Sequence, residues 1–423
     1  MKLFTLCAGL LAGLFSLPAQ AQGVTIGAPG APDASATLEV RSTAGGLLLP
    51  RLTSVQRVVI AAPAAGLLVF QTDNTPGVYY YDGTSWRNLT TGGAPATAGV
   101  VTTLAGSTQG FANGLATTQG QFIGPRGVAC DGSGNVYVAD TNNNCIRRIV
   151  AGRVFTLAGS TTPGFADGSA TTAQFNGPRG VACDARGHVY VADTFNQRIR
   201  VIEVATGAVT TLAGSSLGDN NGPGATAQFN FPSGVACDAS GTIVYVADTK
   251  NHSIRFIDVA TAGVHWLAGT GPAGFIDGPF ATARFNTPLG VAFDGNDRLY
   301  VADYNNYRIR CIVLSSGDVS TLAGSATQGL ADGTGTAARF VSPGGVACDG
   351  TGYNYVYVTD GNRIRRIVAA TGVVTTLAGF SASGSADGTG TNAQFAGPAG
   401  VACDADGNLF VADTNNHRIR VIK

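Results

Sequence analysis

One pattern recurs along most of this sequence. Its clearest copy spans residues 177–202. It opens on Gly-Pro, runs through Val181, Ala182 and Cys183, and turns at 184–187. A second apolar run at 189–192 and a turn at 193–197 follow, and it ends on Arg198-Ile199-Arg200-Val201-Ile202. Near-copies begin at Gly124, Phe231, Thr287, Ser342 and Gly397, and the motif proline falls at Pro125, Pro178, Pro232, Pro288, Pro343 and Pro398. The spacing stays between 53 and 57 residues, and Leu-Ala-Gly recurs at Leu104, Leu157, Leu212, Leu267, Leu322 and Leu377. A unit this short cannot bury its apolar face alone, so its copies must stack on one another.

Each unit reads as four strands with no helical period: Gly-Val-Ala-Cys, Val-Tyr-Val-Ala, Arg-Ile-Arg-x-Ile and Val-Thr-Thr-Leu-Ala. Four-stranded units in radial repetition make a β-propeller, and six copies predict six blades. The fold class expected is all-β. The chain stops after a third strand, at Lys423, while an unmatched fourth strand stands at 100–105. Pairing the two would close the ring and remove an exposed edge.

The repeat resembles the NHL repeat, named for Asn-His-Leu near the start of the third strand. Asn416-His417-Arg418 and Asn251-His252-Ser253 carry the likeness, with Asn196-Gln197-Arg198 and Asn306-Tyr307-Arg308 as variants. Departures are Cys145 and Ser253 in place of Arg, and a shortened turn at Asp360-Gly361-Asn362-Arg363.

Four segments are expected: a leader at 1–21, a small β-rich module at 22–92, a linker at 93–99 and the propeller at 100–423. Lys2, an apolar run at 3–17 and Ala19-Gln20-Ala21 read as a secretory signal. The module shows short strands with turns near Asp73 and Asp82-Gly83, and closes on Tyr79-Tyr80-Tyr81-Asp82-Gly83 and Trp86. It resembles N-terminal modules of secreted Bacteroidetes surface proteins and parts of phage tail fibres. Its apolar content is modest, which suggests that it oligomerises to bury enough surface.

A formal net charge of zero argues against a nucleic-acid partner. No later stretch is long and apolar enough to span a bilayer. Of eight cysteines, Cys7 lies in the leader, and an odd number remains. Cys130, Cys183, Cys237, Cys348 and Cys403 share one repeat position with Phe293, so they read as buried packing thiols.

In such a blade the turns from strand two to three and the long connections from strand four to the next blade share one face. That face is the expected binding surface. Its candidate residues are Asp167, Asp277, Asp332 and Asp387 in the long connections, with Lys250, His252, Tyr304, Tyr307 and His417 in the turns. Asp140, Asp193, Asp248, Asp303, Asp360 and Asp413 recur in every unit. They read as structural, capping the turn and bonding the arginine of the next strand. No catalytic or metal-ligating set stands out, although calcium on loop aspartates stays open. The expected function is a secreted or cell-surface platform, with the periplasm as the other location, for a protein, peptide or glycan. The alternative is a lactonase-like or amidating-lyase-like metal-dependent enzyme with a site at the channel mouth.

Overall fold

The computed structural model describes residues 24–27, 38–41, 48–53, 56–57, 59–60, 62–72, 77–81, 86–88, 99–349 and 355–423. The leader at 1–21, the turns at 73–76 and 82–83, and residues 93–98 of the linker lie outside the described residues. The chain divides into two compact units, Met1–Thr90 and Thr91–Lys423.

In the first unit, Val24–Gly27 pairs in parallel with Leu38–Arg41. A four-stranded sheet runs in the order Arg51–Leu52, Leu68–Gln71, Gly77–Tyr81, Trp86–Asn88. Its buried centre is Val69, Tyr79 and Trp86. The guanidinium of Arg57 lies 4.3 Å from the Tyr79 ring centroid and donates from Nε to Gln71 Oε1 at 2.8 Å.

The second unit consists of antiparallel sheets of four or five strands with only short 3₁₀ turns between them. In the first repeat the strands are Pro125–Cys130, Val136–Asp140, Cys145–Val150 and Arg153–Gly159. Val136, Val138, Ile146 and Ile149 are buried, as a strand covered on both faces requires. The sequence pattern predicts four strands per unit. The structure adds a fifth, two-residue strand in several sheets. Gly114–Leu115, from the long connection, hydrogen-bonds outside Arg153–Gly159, and Gly278–Pro279, Gly333–Thr334 and Gly388–Thr389 do the same in theirs. Each covers an outer edge that would otherwise invite pairing with another chain.

Val100–Ala105 pairs with the last strand, Arg418–Ile422, with Ala105 opposite Ile419 and Val101 opposite Ile422. Neighbouring sheets touch through their first strands. A Cβ on Gly127 would collide with the carbonyl oxygen of Arg179, and one on Gly180 with that of Ser233. The series continues through Gly234, Gly290 and Gly345, and a Cβ on Gly400 would meet Arg126 O. This close backbone approach is why glycine recurs there. Mixed clusters fill the joints. Tyr137, Ile146, Phe175, Val189 and Ile202 form one of them, and Val128, Val138, Phe122, Ala412 and Ile419 form the one between the last and first sheets.

Candidate ligand-binding site

The turns after each second strand follow one design. Asp140 ends its strand, Thr141–Asn143 makes a 3₁₀ turn, and Asn144 sits in the left-handed region at φ 52°. Arg147 on the next strand is fully buried and donates from Nη1 to Asp140 Oδ2 at 2.8 Å. The same guanidinium reaches into the long connection, donating to Gln121 O, Ala112 O and Asn113 Oδ1. Asn143 ties the two parts together, donating from Nδ2 to Asp140 Oδ2 and to Gly110 O. Arg200, Arg255, Arg310, Arg365 and Arg420 repeat the arrangement, paired with Asp193, Asp248, Asp303, Asp360 and Asp413. Burial pushes the carboxyl of Asp248 up to about 6, against two hydrogen bonds and Arg255 that favour its charged form. Phe122, Phe175, Phe229, Phe285, Phe340 and Phe395 are fully buried and anchor the long connections beside these arginines.

This network accounts for most of the sequence-derived candidates. Asp167, Asp277, Asp332 and Asp387 are half-exposed, and each already receives a buried arginine: Arg200, Arg310, Arg365 and Arg420. Each also accepts from a fourth-strand threonine, as Asp332 does from Thr376 Oγ1 at 3.0 Å. His252 and His417 occupy the left-handed turn position. His252 Nδ1 accepts from the backbone N–H of Thr287 in the next sheet, and His417 Nδ1 accepts from Gly124. Both are therefore neutral with the proton on Nε2, and burial lowers both pKa values. Asn144, Gln197 and Asn362 make the equivalent bond to Gly177, Phe231 and Gly397. Lys250 is exposed on the turn before His252, and Tyr307 takes the left-handed position of its own turn.

Tyr304 stands apart. Where it sits, Thr141, Thr194, Thr249 and Thr414 each donate from Oγ1 to the motif-proline carbonyl of the next sheet, at 2.7 to 2.8 Å. Tyr304 makes no such bond. It lines a cavity of about 310 Å³ on the side of these turns. The wall of the cavity includes the residue after each motif proline: Arg126, Arg179, Ser233, Leu289, Gly344 and Ala399. Here the repeat loses its regularity. Two adjacent sheets bring arginines, the next a serine, and the remaining three bring Leu, Gly and Ala.

Among the described residues neither Arg126 nor Arg179 has a carboxylate partner. Arg179 lies 5.5 Å from the Phe195 ring centroid and leaves its Nε buried without an acceptor. Desolvation lowers the pKa of both, and Arg126 adds a repulsive push on Arg179. Next to them, Phe195 packs edge-on to Phe231 at 5.7 Å. Phe231 and Thr287 adopt φ of 53° and 58° at a position filled by glycine in three other copies. Left-handed geometry at such residues is strained. The arginines escaped the sequence reading because each sits inside a recurring motif. The signal is the variable residue after the motif proline, which is charged in only two copies. Among the described residues, no three His, Cys, Asp or Glu side chains gather as a metal ion would need. Burial raises the thiols of Cys183 and Cys237 to about 12, so neither is a thiolate at neutral pH.

Comparison with known proteins defines the class first: the fold is a β-propeller. In solved structures it is similar to a structural genomics protein of unknown function from Bacteroides thetaiotaomicron, at 20% identity and a TM-score of 0.60, covering 84% of this chain and 82% of that one. It is also similar to an auxiliary nutrient binding protein from the same species, at 17% identity and a TM-score of 0.60, covering 82% of each chain. At these identities the likeness speaks for the fold alone. More specifically, the chain carries NHL repeats, matched at residues 122–149, 175–202, 229–255, 285–312 and 395–422, and a phage tail like trimerisation region, matched at 25–123. A relative is the chloroplastic protein SUPPRESSOR OF QUENCHING 1 of Arabidopsis thaliana, 32% identical over 73% of this chain and 31% of its own length. The chain spans less than a third of the curated relatives it matches. No described helix is long and apolar enough to cross a membrane.

Proposed function

We propose that this protein is an exported or surface-held binding platform that takes its ligand in the cavity lined by Arg126, Arg179 and Tyr304. In this reading residues 1–21 direct export, 22–92 gather three copies, 93–99 are a linker, and 100–423 form one closed six-bladed propeller. The single observation that carries the proposal is the loss of sixfold regularity at the cavity. Polar residues that recur in every sheet are consumed by internal hydrogen bonds, whereas the cavity wall differs from sheet to sheet. A ring offers one axial site, and a ligand there meets a wall of unlike residues rather than six equal ones. The volume, about 310 Å³, is that of a small-molecule site or a seat for the tip of a glycan or peptide chain. The nutrient-binding neighbour and the trimerisation match support a role in capturing material outside the cell.

The test uses the full chain. Oligosaccharides, short peptides and small metabolites are screened by thermal shift, and hits are quantified by calorimetry. Ala399→Trp fills the cavity, and Ser133→Trp places the same bulk on a first hairpin turn away from it. Hits should vanish in the first variant and persist in the second. Hits that ignore Ala399→Trp would place binding elsewhere and sink the proposal.

A further inference from the structure

Arginine is costly to desolvate unless its donors and charge are met. The second unit shows how this protein meets that cost when the arginine serves the fold. Arg310 is fully buried and donates to Asp303 Oδ2 at 2.8 Å, to Arg284 O at 3.0 Å and to Ile276 O at 2.9 Å, with Asp277 as a second carboxylate. Arg126 and Arg179 receive nothing comparable. They belong to adjacent sheets, Arg126 within the first strand Pro125–Cys130 and Arg179 just before the first strand Val181–Cys183, each at the x of Gly-Pro-x-Gly, where the neighbouring sheets carry Ser233, Leu289, Gly344 and Ala399. Those replacements show that the fold does not need a cation there.

Two guanidiniums held together in a cavity wall repel each other unless an anion lies between them. Their planar forks match the paired oxygens of a carboxylate or phosphate. The rest of the wall is of another kind. Leu289 and Tyr304 belong to the fourth sheet, three sheets along from Arg126, and Gly344 and Ala399 leave open space beside them. Tyr304 has given up the threonine-type bond between sheets and keeps an aromatic ring at the cavity. Such a ring offers a flat apolar face to a sugar or aromatic body.

We propose that this cavity takes a small anionic ligand, with its carboxylate or phosphate between Arg126 and Arg179 and a ring-bearing body against Leu289 and Tyr304. The inference rests on the binding-platform reading and gives it a ligand class. Binding on these terms is charge-assisted, so it weakens as salt rises.

The experiment is calorimetry on the full chain with glucuronate, glucose 6-phosphate and benzoate as probes, and glucose and benzyl alcohol as their uncharged counterparts. At least one anion should bind about tenfold or more tightly than its uncharged counterpart, the preferred one telling carboxylate from phosphate. Arg126→Gln and Arg179→Gln should each lose most of that preference. Arg179→Lys should keep part of it, because it restores charge without the fork. Tyr304→Ala should weaken charged and uncharged forms of a body alike. Equal affinity for charged and uncharged forms, unchanged anion binding in the double glutamine variant, or no anion bound up to roughly 10 mM overturns the proposal. The platform reading fails separately: it falls only if screened ligands bind the Ala399→Trp variant as well as the parent.

Discussion

The same side chain has two fates in this molecule. Six arginines, Arg147, Arg200, Arg255, Arg310, Arg365 and Arg420, are almost wholly buried, and each bonds an aspartate at the end of the second strand. They join the turn to the long connection that precedes it in the chain, and so hold the face of the propeller in shape. Arg126 and Arg179 lie at the cavity in the same face, without a carboxylate partner among the described residues. The difference teaches how to read a repeat. Charge that recurs in every unit is neutralised inside the unit. Charge in two units of six has no structural duty that the other four share, and it is left to meet something from outside.

The comparison breaks most severely at a recurring arginine. Arg310→Ala should cost about 3–5 kcal/mol, because it leaves the buried Asp303 without its cation and takes a donor from Arg284 O and Ile276 O. Thermal unfolding of the full chain should fall by something on the order of 5–10 °C. A loss below about 1 kcal/mol would mean that the network is dispensable and that recurrence is a poor guide to structural duty.

A smaller effect is expected where the repeat is strained. Thr287 sits at φ 58°, in the slot that Gly124, Gly177 and Gly397 fill at 55° to 58°. Thr287→Gly should stabilise the protein by about 1 kcal/mol, read as a rise in Tm, because glycine adopts this backbone without strain. The opposing term is the hydrogen bond from Asn305 Nδ2 to Thr287 Oγ1, 2.8 Å long and exposed. A fall in Tm would show that this bond outweighs the strain. Thr287 would then be a stabilising substitution rather than a cost borne at the rim of the site.

Much of the architecture was legible because a period of 53–57 residues leaves few folds open. The strand order within each unit followed from apolar runs separated by turns. What stayed hidden was whatever depends on residues far apart in the chain. Arg147 meets Asn113 and Ala112 across more than thirty positions, and nothing local announces that pairing. For the same reason the buried arginines that Asp277 and Asp332 accept from, Arg310 and Arg365, do not show in the local sequence. His252 and His417 looked chemically special, yet they share a backbone-capping duty with Asn144 and Gln197. The two-residue outer strands are too short to show any period. In the first unit, the parallel pairing of Arg51–Leu52 with Leu68–Gln71 is a tertiary choice that alternation alone cannot specify. Tyr304 was legible as a break in the pattern. Arg126 and Arg179 were not, because the proline before them and the glycine after them recur in every copy and make the segment read as structural.

The smallest expected effect is the most telling. Arg179→Gln should move the Tm hardly at all, within about 0.5 kcal/mol of the parent, and in the stabilising direction if it moves. The substitution removes like-charge repulsion from Arg126 and breaks no ion pair, since Arg179 has none among the described residues. The term on the other side is the stacking of Arg179 on Phe195, which glutamine gives up in part. A drop of several degrees would make Arg179 another member of the structural network, held by Phe195, and would dissolve the contrast between the two kinds of arginine. A flat melting temperature together with a lost anion preference would establish it, because the same substitution would then cost the fold nothing and the ligand a great deal.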